Sequence, residues 1–550
     1  MTEKATITDK LRGGYYTPEP IAQFIADWAI RDAQDHILEP SCGDGNFVEA
    51  ALKRLVSLGI VPEKMNGQLT GVELMKEEAA KTRKRGKPFG LESKNIKNQD
   101  FFSFAEGQPQ RFDVVLGNPP FIRYQNFPEE HRKLAISMMN ELGLSPNKLT
   151  NIWVPFLVIA SSLLTEKGRL GMVIPAELFQ VKYAQETRVF LSKFFASITI
   201  ITFKRLVFDN IQQEVVLLLC EKENSKASGI RTIELKDIEA MQSLSLNKIA
   251  KQALKTIDHS NEKWIKYFLE QKEIDLLRSI KQDSTIRLAK DYLDVDVGIV
   301  TGRNKFFMLS QEEAEAHGIL DYTQAVVSRS PHLEGIRFTK KDLTKNLEGN
   351  ITSLLFTPPN VAFNELPKPC QDYIKLGEKN GHNLGYKCRI RKRWYVVPSL
   401  SVPDAFALRQ INEFPKIVLN EAKASSTDTI HRVKFLTDHD RQLTVLSFLN
   451  SLTFAFSEIT GRSYGGGVMT FEPTEVEELP LPLLQSSLNL KKIDEVMRKK
   501  EVRKALDIVD TELLSNQLGL SKKDIKALRA IWEKLSGRRL YRKRKKQQRG

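Results

Sequence analysis

Between residues 36 and 220 the chain alternates short apolar, β-branched runs with amphipathic stretches, and this alternation limits its fold more than any other feature. The strand-like runs are 37–38, 69–74, 95–102, 112–116, 170–174, 197–203 and 214–220. Helical periodicity occupies 47–58, 152–165 and 184–195. Strands alternating with amphipathic helices build a mostly parallel sheet covered on both faces. Ligands of such sheets bind beyond the C-terminal ends of the strands, so the residues just after each strand are the ones to read.

After the first strand stands Glu39-Pro40-Ser41-Cys42-Gly43-Asp44-Gly45-Asn46-Phe47, leading into a helix. Its glycines let the backbone turn tightly and approach a ligand. Val48 occupies the place of the third glycine of a dinucleotide fingerprint, and no Gly-Lys-Ser/Thr phosphate loop is present. NAD, FAD and ATP are therefore disfavoured. The second strand ends in Glu73, an acid suited to the two hydroxyls of a ribose. The third ends in Asp100-Phe101, an acceptor for an adenine amino group beside a ring to stack on it. Ribose and adenine without phosphate describe S-adenosylmethionine.

The sharpest signal is Asn118-Pro119-Pro120-Phe121, which follows an apolar strand. Two prolines fix φ and remove two N–H donors, leaving carbonyls in a rigid turn. Asn118 adds a side-chain acceptor. Acceptors held together bind both hydrogens of an exocyclic amino group and direct its lone pair at an electrophilic methyl. Phe121 offers a stacking surface. No strong general base is needed, because the nitrogen becomes acidic once methylated.

In these motifs the chain resembles the N6-adenine DNA methyltransferases of bacterial type II restriction–modification systems, of the TaqI-like gamma group. The resemblance runs from Gly14-Tyr15-Tyr16-Thr17-Pro18 to the strand at 214–220. It implies a Rossmann-like class I S-adenosylmethionine-dependent methyltransferase domain of α/β fold. Thr17, Glu39, Ser41, Cys42, Gly43, Glu73, Asp100 and Phe101 would hold the cofactor, and Asn118, Pro119, Pro120 and Phe121 would be catalytic. Phe208 would be the second aromatic against a flipped-out base. The fourth tetrad position is Phe rather than the commoner Tyr, which keeps stacking and loses a hydroxyl. Cys42 stands inside the main loop, where amino methylation needs no nucleophile. Cytosine-N4 enzymes more often carry Ser where Asn118 stands.

Beyond residue 245 the periodicity weakens, and Gly, Pro and aromatic residues become frequent. The expected organisation is a catalytic domain over 1–245, a mixed or β-rich target-recognition domain over 246–485, and a helical extension with a basic tail over 486–550. Gly298-Ile299-Val300-Thr301-Gly302-Arg303-Asn304 and Gly461-Arg462-Ser463-Tyr464-Gly465-Gly466-Gly467 resemble recognition-domain segments. Lys387-Cys388-Arg389-Ile390-Arg391-Lys392-Arg393-Trp394-Tyr395 crowds five cations beside two aromatics. Read as an extended strand, it lines up Lys387, Arg389, Arg391 and Arg393 for phosphates or guanine edges. Arg303 and Arg462 join them as expected DNA contacts. Pro403-Asp404 with Glu421-Ala422-Lys423 superficially spells a nuclease centre, but two short matches arise easily by chance.

The net charge of +15 is uneven: residues 1–230 carry +2, residues 231–480 carry +1 and residues 481–550 carry +12. This implies a polyanionic partner near the C-terminus, where 537–550 holds eight Lys/Arg and no acid. Truncation after Ser536 is expected to weaken DNA affinity without changing sequence choice. Four scattered cysteines without a CxxC pair, a polar 1–10 segment and no apolar run of ~18–20 residues fit a cytoplasmic chain without zinc site, signal peptide or membrane span.

The activity expected is methyl transfer from S-adenosylmethionine to N6 of a flipped-out adenine at a specific site in double-stranded DNA, without a metal. It would protect host DNA from a cognate restriction endonuclease, a functional partner. An RNA or protein-glutamine methyltransferase with the same Asn-Pro-Pro-Phe turn, and a non-catalytic specificity subunit, are the competing readings.

Overall fold

Eight strands form the sheet that the alternation foreshadows. They are β1 (Ile37–Glu39), β2 (Leu69–Val72), β3 (Ile96–Lys97), β4 (Phe112–Gly117), β5 (Leu164–Pro175), β6 (Ser197–Phe203), β7 (Val215–Glu221) and β8 (Gly229–Leu235). The computed structural model describes residues 16–109, 111–147, 150–205, 214–223, 228–436, 439–463, 467–482 and 485–547. The strand order is β3-β2-β1-β4-β5-β7-β6-β8. From β3 to β5 all pairings are parallel. β7 runs antiparallel to both of its neighbours. Only residues 204–214 join β6 to β7, too few for the dozen-residue crossover a parallel return requires. Every residue of β6 is buried, as expected of a strand covered on both faces.

The helices α1 (Glu19–Ala29) and α2 (Asn46–Ser57) pack together against the sheet. Ile21, Ile25, Val48, Ala51 and Leu55 share one buried cluster with Ile37, Val114, Leu116 and Val173. α3 (Lys76–Gly86) follows β2, and α4 (Phe101–Ala105) follows β3. The run 95–102 is not one strand: Asp100 Oδ1 accepts from the Ser103 amide at 3.0 Å and starts α4. N-capping of this kind overrides the apolar run that follows.

The first compact unit is Met1–Gln271 and the second Lys272–Gly550, so the division falls at 271/272 rather than 245/246. The polar stretch around 221–245 is a connection within the first unit. β8 pairs with β6 along its whole length, and Ile230 exchanges both backbone hydrogen bonds with Lys255 (3.0 and 2.8 Å). Buried Trp264 and Tyr267 extend the same packing, with Thr232 Oγ1 donating to the Tyr267 carbonyl at 2.8 Å.

In the second unit a five-stranded mixed sheet runs in the order Leu293–Asp296, Ile430–Phe435, Ala405–Leu408, Ile417–Asn420, Arg337–Phe338. Helices Leu490–Arg498, Val502–Val509 and Lys522–Gln547 are not an appended tail. Leu490, Ile493, Met497, Leu506, Val509 and Trp532 share a core with Val295, Ala405 and Val433 of that sheet. Arg539 is buried as well: it binds Glu458 Oε1 at 2.6 Å and Oε2 at 3.1 Å, and donates to the Asn412 carbonyl at 2.6 Å. Truncation after Ser536, expected from the sequence to act on DNA affinity, would also remove this buried ion pair. Among the described residues no helix is long and apolar enough to cross a membrane.

Breaking a buried ion pair from one side strands a charge in low dielectric. Arg539→Ala, or truncation after Ser536, should destabilise the protein by about 3–5 kcal/mol. Urea denaturation checks this, with the double change Glu458→Leu, Arg539→Met expected to recover most of the loss.

Candidate active site

A cavity of about 700 Å³ opens beyond the ends of β1, β2 and β4. It gathers Thr17, Ser41, Cys42, Gly43, Glu73, Asp100, Phe101, Asn118 and Pro120, which are scattered over a hundred residues of sequence. The glycine loop is tied down from three sides. The Cys42 amide donates to the Val72 carbonyl at 3.0 Å, and the Gly43 amide donates to Glu73 Oε2 at 2.8 Å. Thr82 Oγ1 of α3 donates to the Gly43 carbonyl at 2.9 Å. Gly45 takes φ +91°, and a Cβ there would sit 3.0 Å from the Thr82 backbone. A glycine is required at this point for conformation and for space alike.

Glu73 also accepts from the Met75 amide at 2.7 Å. Burial, opposed by these amide bonds, raises its carboxyl above the ordinary value. Thr17 is buried in the cavity wall with, among the described residues, no hydrogen-bond partner for its hydroxyl, while Asn46 Nδ2 holds its carbonyl at 3.1 Å. Among the lining residues there are five carboxylates, Asp44, Glu73, Glu77, Glu78 and Asp100, and no Lys, Arg or His. Such a wall repels phosphate and suits a cationic ligand bearing hydroxyls.

Glu39 lies behind the cavity rather than in its wall and is wholly buried. Its Oε2 accepts from the Ser41 amide at 2.9 Å, and among the described residues Oε1 has no partner. Desolvation pushes its carboxyl up to about 8. Gly117, the last residue of β4, closes over it: a Cβ at Gly117 would lie 2.5 Å from Glu39 Oε1. The Cys42 thiol is buried and its pKa raised, by desolvation first and then by Glu39, so it stays protonated and unreactive.

Asn118 and Pro120 line the cavity, whereas buried Pro119 and half-buried Phe121 do not. Phe121 packs against the hydrophobic cluster of α1, α2 and the sheet. Phe208 lies outside the described residues. The turn is braced by a bridge between Arg123 and Asn151 and by the Ile152 amide donating to the Ile122 carbonyl at 3.0 Å. Sequence reasoning missed Phe127, and gave no cavity role to Phe156. Phe101 stacks on Phe156 at 5.0 Å, and Phe102 meets Phe127 and Phe156 edge-on. Phe101, Phe127 and Phe156 line the cavity. The usable signal was the Asn151-to-Phe156 segment beginning a buried helix. Asp100 lines the cavity, but its Oδ1 is engaged by α4 and lies 3.4 Å from His131 Nδ1.

In the second unit the expected strand at 387–393 is instead a turn of helix, Tyr386–Arg389, followed by tight turns. Lys387, Arg389, Arg391 and Arg393 therefore do not line up. Arg391 donates to the Val300 carbonyl at 2.8 Å and Arg393 to Asn360 Oδ1 at 2.9 Å. Lys387, Arg389 and Arg303 are exposed and, among the described residues, unpaired. Arg462 is held by Glu475 at 2.9 Å. The apparent nuclease motif is spent on structure: Asp404 pairs with Arg441 at 3.0 Å, and Glu421 binds Arg337 through both oxygens at 2.8 and 2.6 Å. Among the described residues no cluster of His, Cys, Asp or Glu could hold a metal ion.

The parallel sheet with its reversed strand, the glycine loop and the phosphate-repelling cavity define a class I S-adenosylmethionine-dependent methyltransferase fold. The family described as the Eco57I restriction-modification methylase matches residues 60–208, and the C-terminal domain of the type II methyltransferase M.Eco57I matches residues 261–514. The chain is 24% identical to the type II methyltransferase M.AccI of Acinetobacter calcoaceticus over 483 residues, 84% of either chain. It is 21% identical to M.XamI of Xanthomonas campestris pv. amaranthicola over 494 residues, 86% of either chain. The type IIL restriction-modification enzyme MmeI, solved in complex with DNA, shares the fold with a TM-score of 0.54 at 12% identity, over 92% of this chain and 73% of its own. The chain belongs to the Eco57I-type restriction–modification methylases, which makes it a DNA methyltransferase.

Glu39 gives the site a pH signature. Its carboxyl is raised from 4.5 to about 8, so its stabilising contribution is complete below the unfolded value and is lost as pH rises through about 8. Glu39→Gln should lack this loss. Unfolding at pH 5, 7 and 9 should show the wild type losing up to ~1.4 kcal/mol per pH unit more than the variant. Parallel pH profiles would refute the assignment.

Proposed function

We propose that the protein methylates N6 of an adenine flipped out of double-stranded DNA at a specific sequence, using S-adenosylmethionine, as the modification half of a restriction–modification system. The observation that carries this reading is the Asn118-Pro119-Pro120 turn beside a cation-free, carboxylate-lined cavity. The donor fits the residues present. The buried Thr17 hydroxyl, the Glu73 carboxylate, the Gly43 loop and the Phe101 ring would hold its amino-acid, ribose and adenine parts. When bound it supplies an electrophilic methyl group on sulfur.

Asn118 and the carbonyls of the proline turn accept both hydrogens of the target amino group. This favours a tetrahedral nitrogen whose lone pair is free to attack, and orients it without a strong base. Once methylated, the nitrogen passes its proton to solvent. Flipping the base out of the stack costs a few kcal/mol. The exposed cations Arg303, Lys387 and Arg389 are suited to the phosphates that hold the duplex during this step. The cognate endonuclease is a functional partner, and the setting is the cytoplasm, where the unmodified chromosome needs protection.

The test is transfer of a labelled methyl group to duplex DNA, to RNA and to a release-factor protein, with the base read by sequencing. Label in N6-methyladenine is expected; label in RNA or protein alone, or in N4-methylcytosine, would defeat the reading. Asn118→Ala should lower kcat by about 10²–10³-fold, in line with loss of one preorganised polar group, while DNA affinity is kept. Thr17→Val should raise the KM for the donor about tenfold, the worth of one buried hydrogen bond.

A further inference from the structure

The segment after helix Lys368–Lys379 carries large apolar side chains on its outside. Leu384 and Tyr386 are each 66% exposed, and Ile390 is 60% exposed. The Ile390 amide donates to the Tyr386 carbonyl, so these two side chains stand one helical turn apart on the same face. Cys388, between them in sequence, is fully buried. The segment is therefore anchored with its apolar tips outward. Soluble surfaces rarely expose such residues together without a partner.

What surrounds these tips identifies the partner. The loop at 298–304 packs directly on the segment: a Cβ at Gly302, where φ is +81°, would lie 2.7 Å from Lys387 Cβ. Gly385 lies under the Arg303 guanidinium, 2.9 Å from where its own Cβ would be. The two glycines let loop and helix interlock and bring Arg303 beside Tyr386. Arg391 pins the segment through the Val300 carbonyl and lies 5.7 Å over the Phe307 ring. Trp394 Nε1 donates to Glu378 at 2.9 Å and so occupies that carboxylate. Arg303, Lys387, Arg389 and Lys392 remain exposed and, among the described residues, without an ion-pair partner.

Apolar tips on a rigid mount, ringed by unpaired cations, match a surface that presents both phosphates and base faces. Side chains such as Leu and Ile, inserted between base steps, unstack and bend a duplex. We propose that Tyr386 and Ile390, with Leu384 beside them, form a wedge that enters a base step of the bound DNA, while Arg303, Lys387, Arg389 and Lys392 hold the flanking phosphates. The inference rests on the DNA-methyltransferase reading and deepens it. The wedge adds shape-dependent readout to that enzyme, because the cost of unstacking depends on the step being opened.

The test uses the full-length protein and duplexes carrying its methylation site, with 2-aminopurine placed at successive positions. Wild type should brighten the probe at one step besides the target base. Tyr386→Ala with Ile390→Ala should remove that signal at least threefold and weaken binding about tenfold, with the salt slope of binding unchanged. Tyr386→Phe should retain the signal. Lys387→Ala with Arg389→Ala should keep the signal and reduce the slope of log K against log salt by about two. Unchanged brightness and affinity in the apolar double variant would overturn the wedge. So would a loss of self-association in sedimentation without any effect on DNA, which would assign the patch to a second copy of the chain. Wild type that transfers no methyl to duplex DNA would instead defeat the underlying enzyme reading.

Discussion

The contact of Glu39 with Gly117 ties the glycine loop to the proline turn. Glu39 ends β1 and opens the glycine loop, while Gly117 ends β4 and opens the Asn-Pro-Pro turn. The buried carboxyl meets the glycine so closely that a Cβ would lie 2.5 Å from Oε1. Any side chain at Gly117 would push β4 away from β1, and the proline turn away from the glycine loop. Burying a carboxylate this deeply is costly. The protein meets that cost by raising the carboxyl to about 8, so that it is largely neutral at pH 7.

From this junction the electrostatics of the site follow. Cations next to the cavity are kept out of it: Arg85 pairs with Asp44 at 2.9 Å and with Glu49 at 2.8 Å, and Lys81 pairs with Glu78 at 2.6 Å. The lining presents carboxylates, amides and aromatic rings. A dinucleotide fold would place its glycine-rich loop against a pyrophosphate; this loop turns the Gly43 amide to Glu73 instead. The cavity of this α/β scaffold is thereby lined against phosphate.

The second unit shows why charge patterns are harder to read than strand patterns. Arg391, Arg393, Arg462 and Arg539 look like DNA contacts in the sequence, yet each spends its guanidinium on a carbonyl, an amide or a carboxylate of the protein. Arginine serves both purposes with the same planar donors. Only packing tells which role is taken. The C-terminal basic segment illustrates this: Trp532 and Arg539 of the long last helix are core residues, although the sequence reads as a helical extension with a basic tail.

The sequence by itself determined the central sheet, because burial on both faces demands runs of apolar residues bounded by turns, and β6 appears at 197–203 as read. It also determined the glycine loop, the acids at strand ends and the Asn-Pro-Pro-Phe turn, whose residue types carry their own conformational and chemical constraints. Tertiary structure decided what local pattern cannot hold. The capping bond of Asp100 turned the end of the 95–102 run into a helix, and the long-range pairing of β8 with β6 moved the unit boundary to 271. Packing around Cys388 made a helical turn of the cationic segment and left Tyr386 and Ile390 facing outward. The β8 pairing and the packing around Cys388 depend on partners distant in the chain, while the cap rests on one local Asp100–Ser103 hydrogen bond that apolar periodicity does not register.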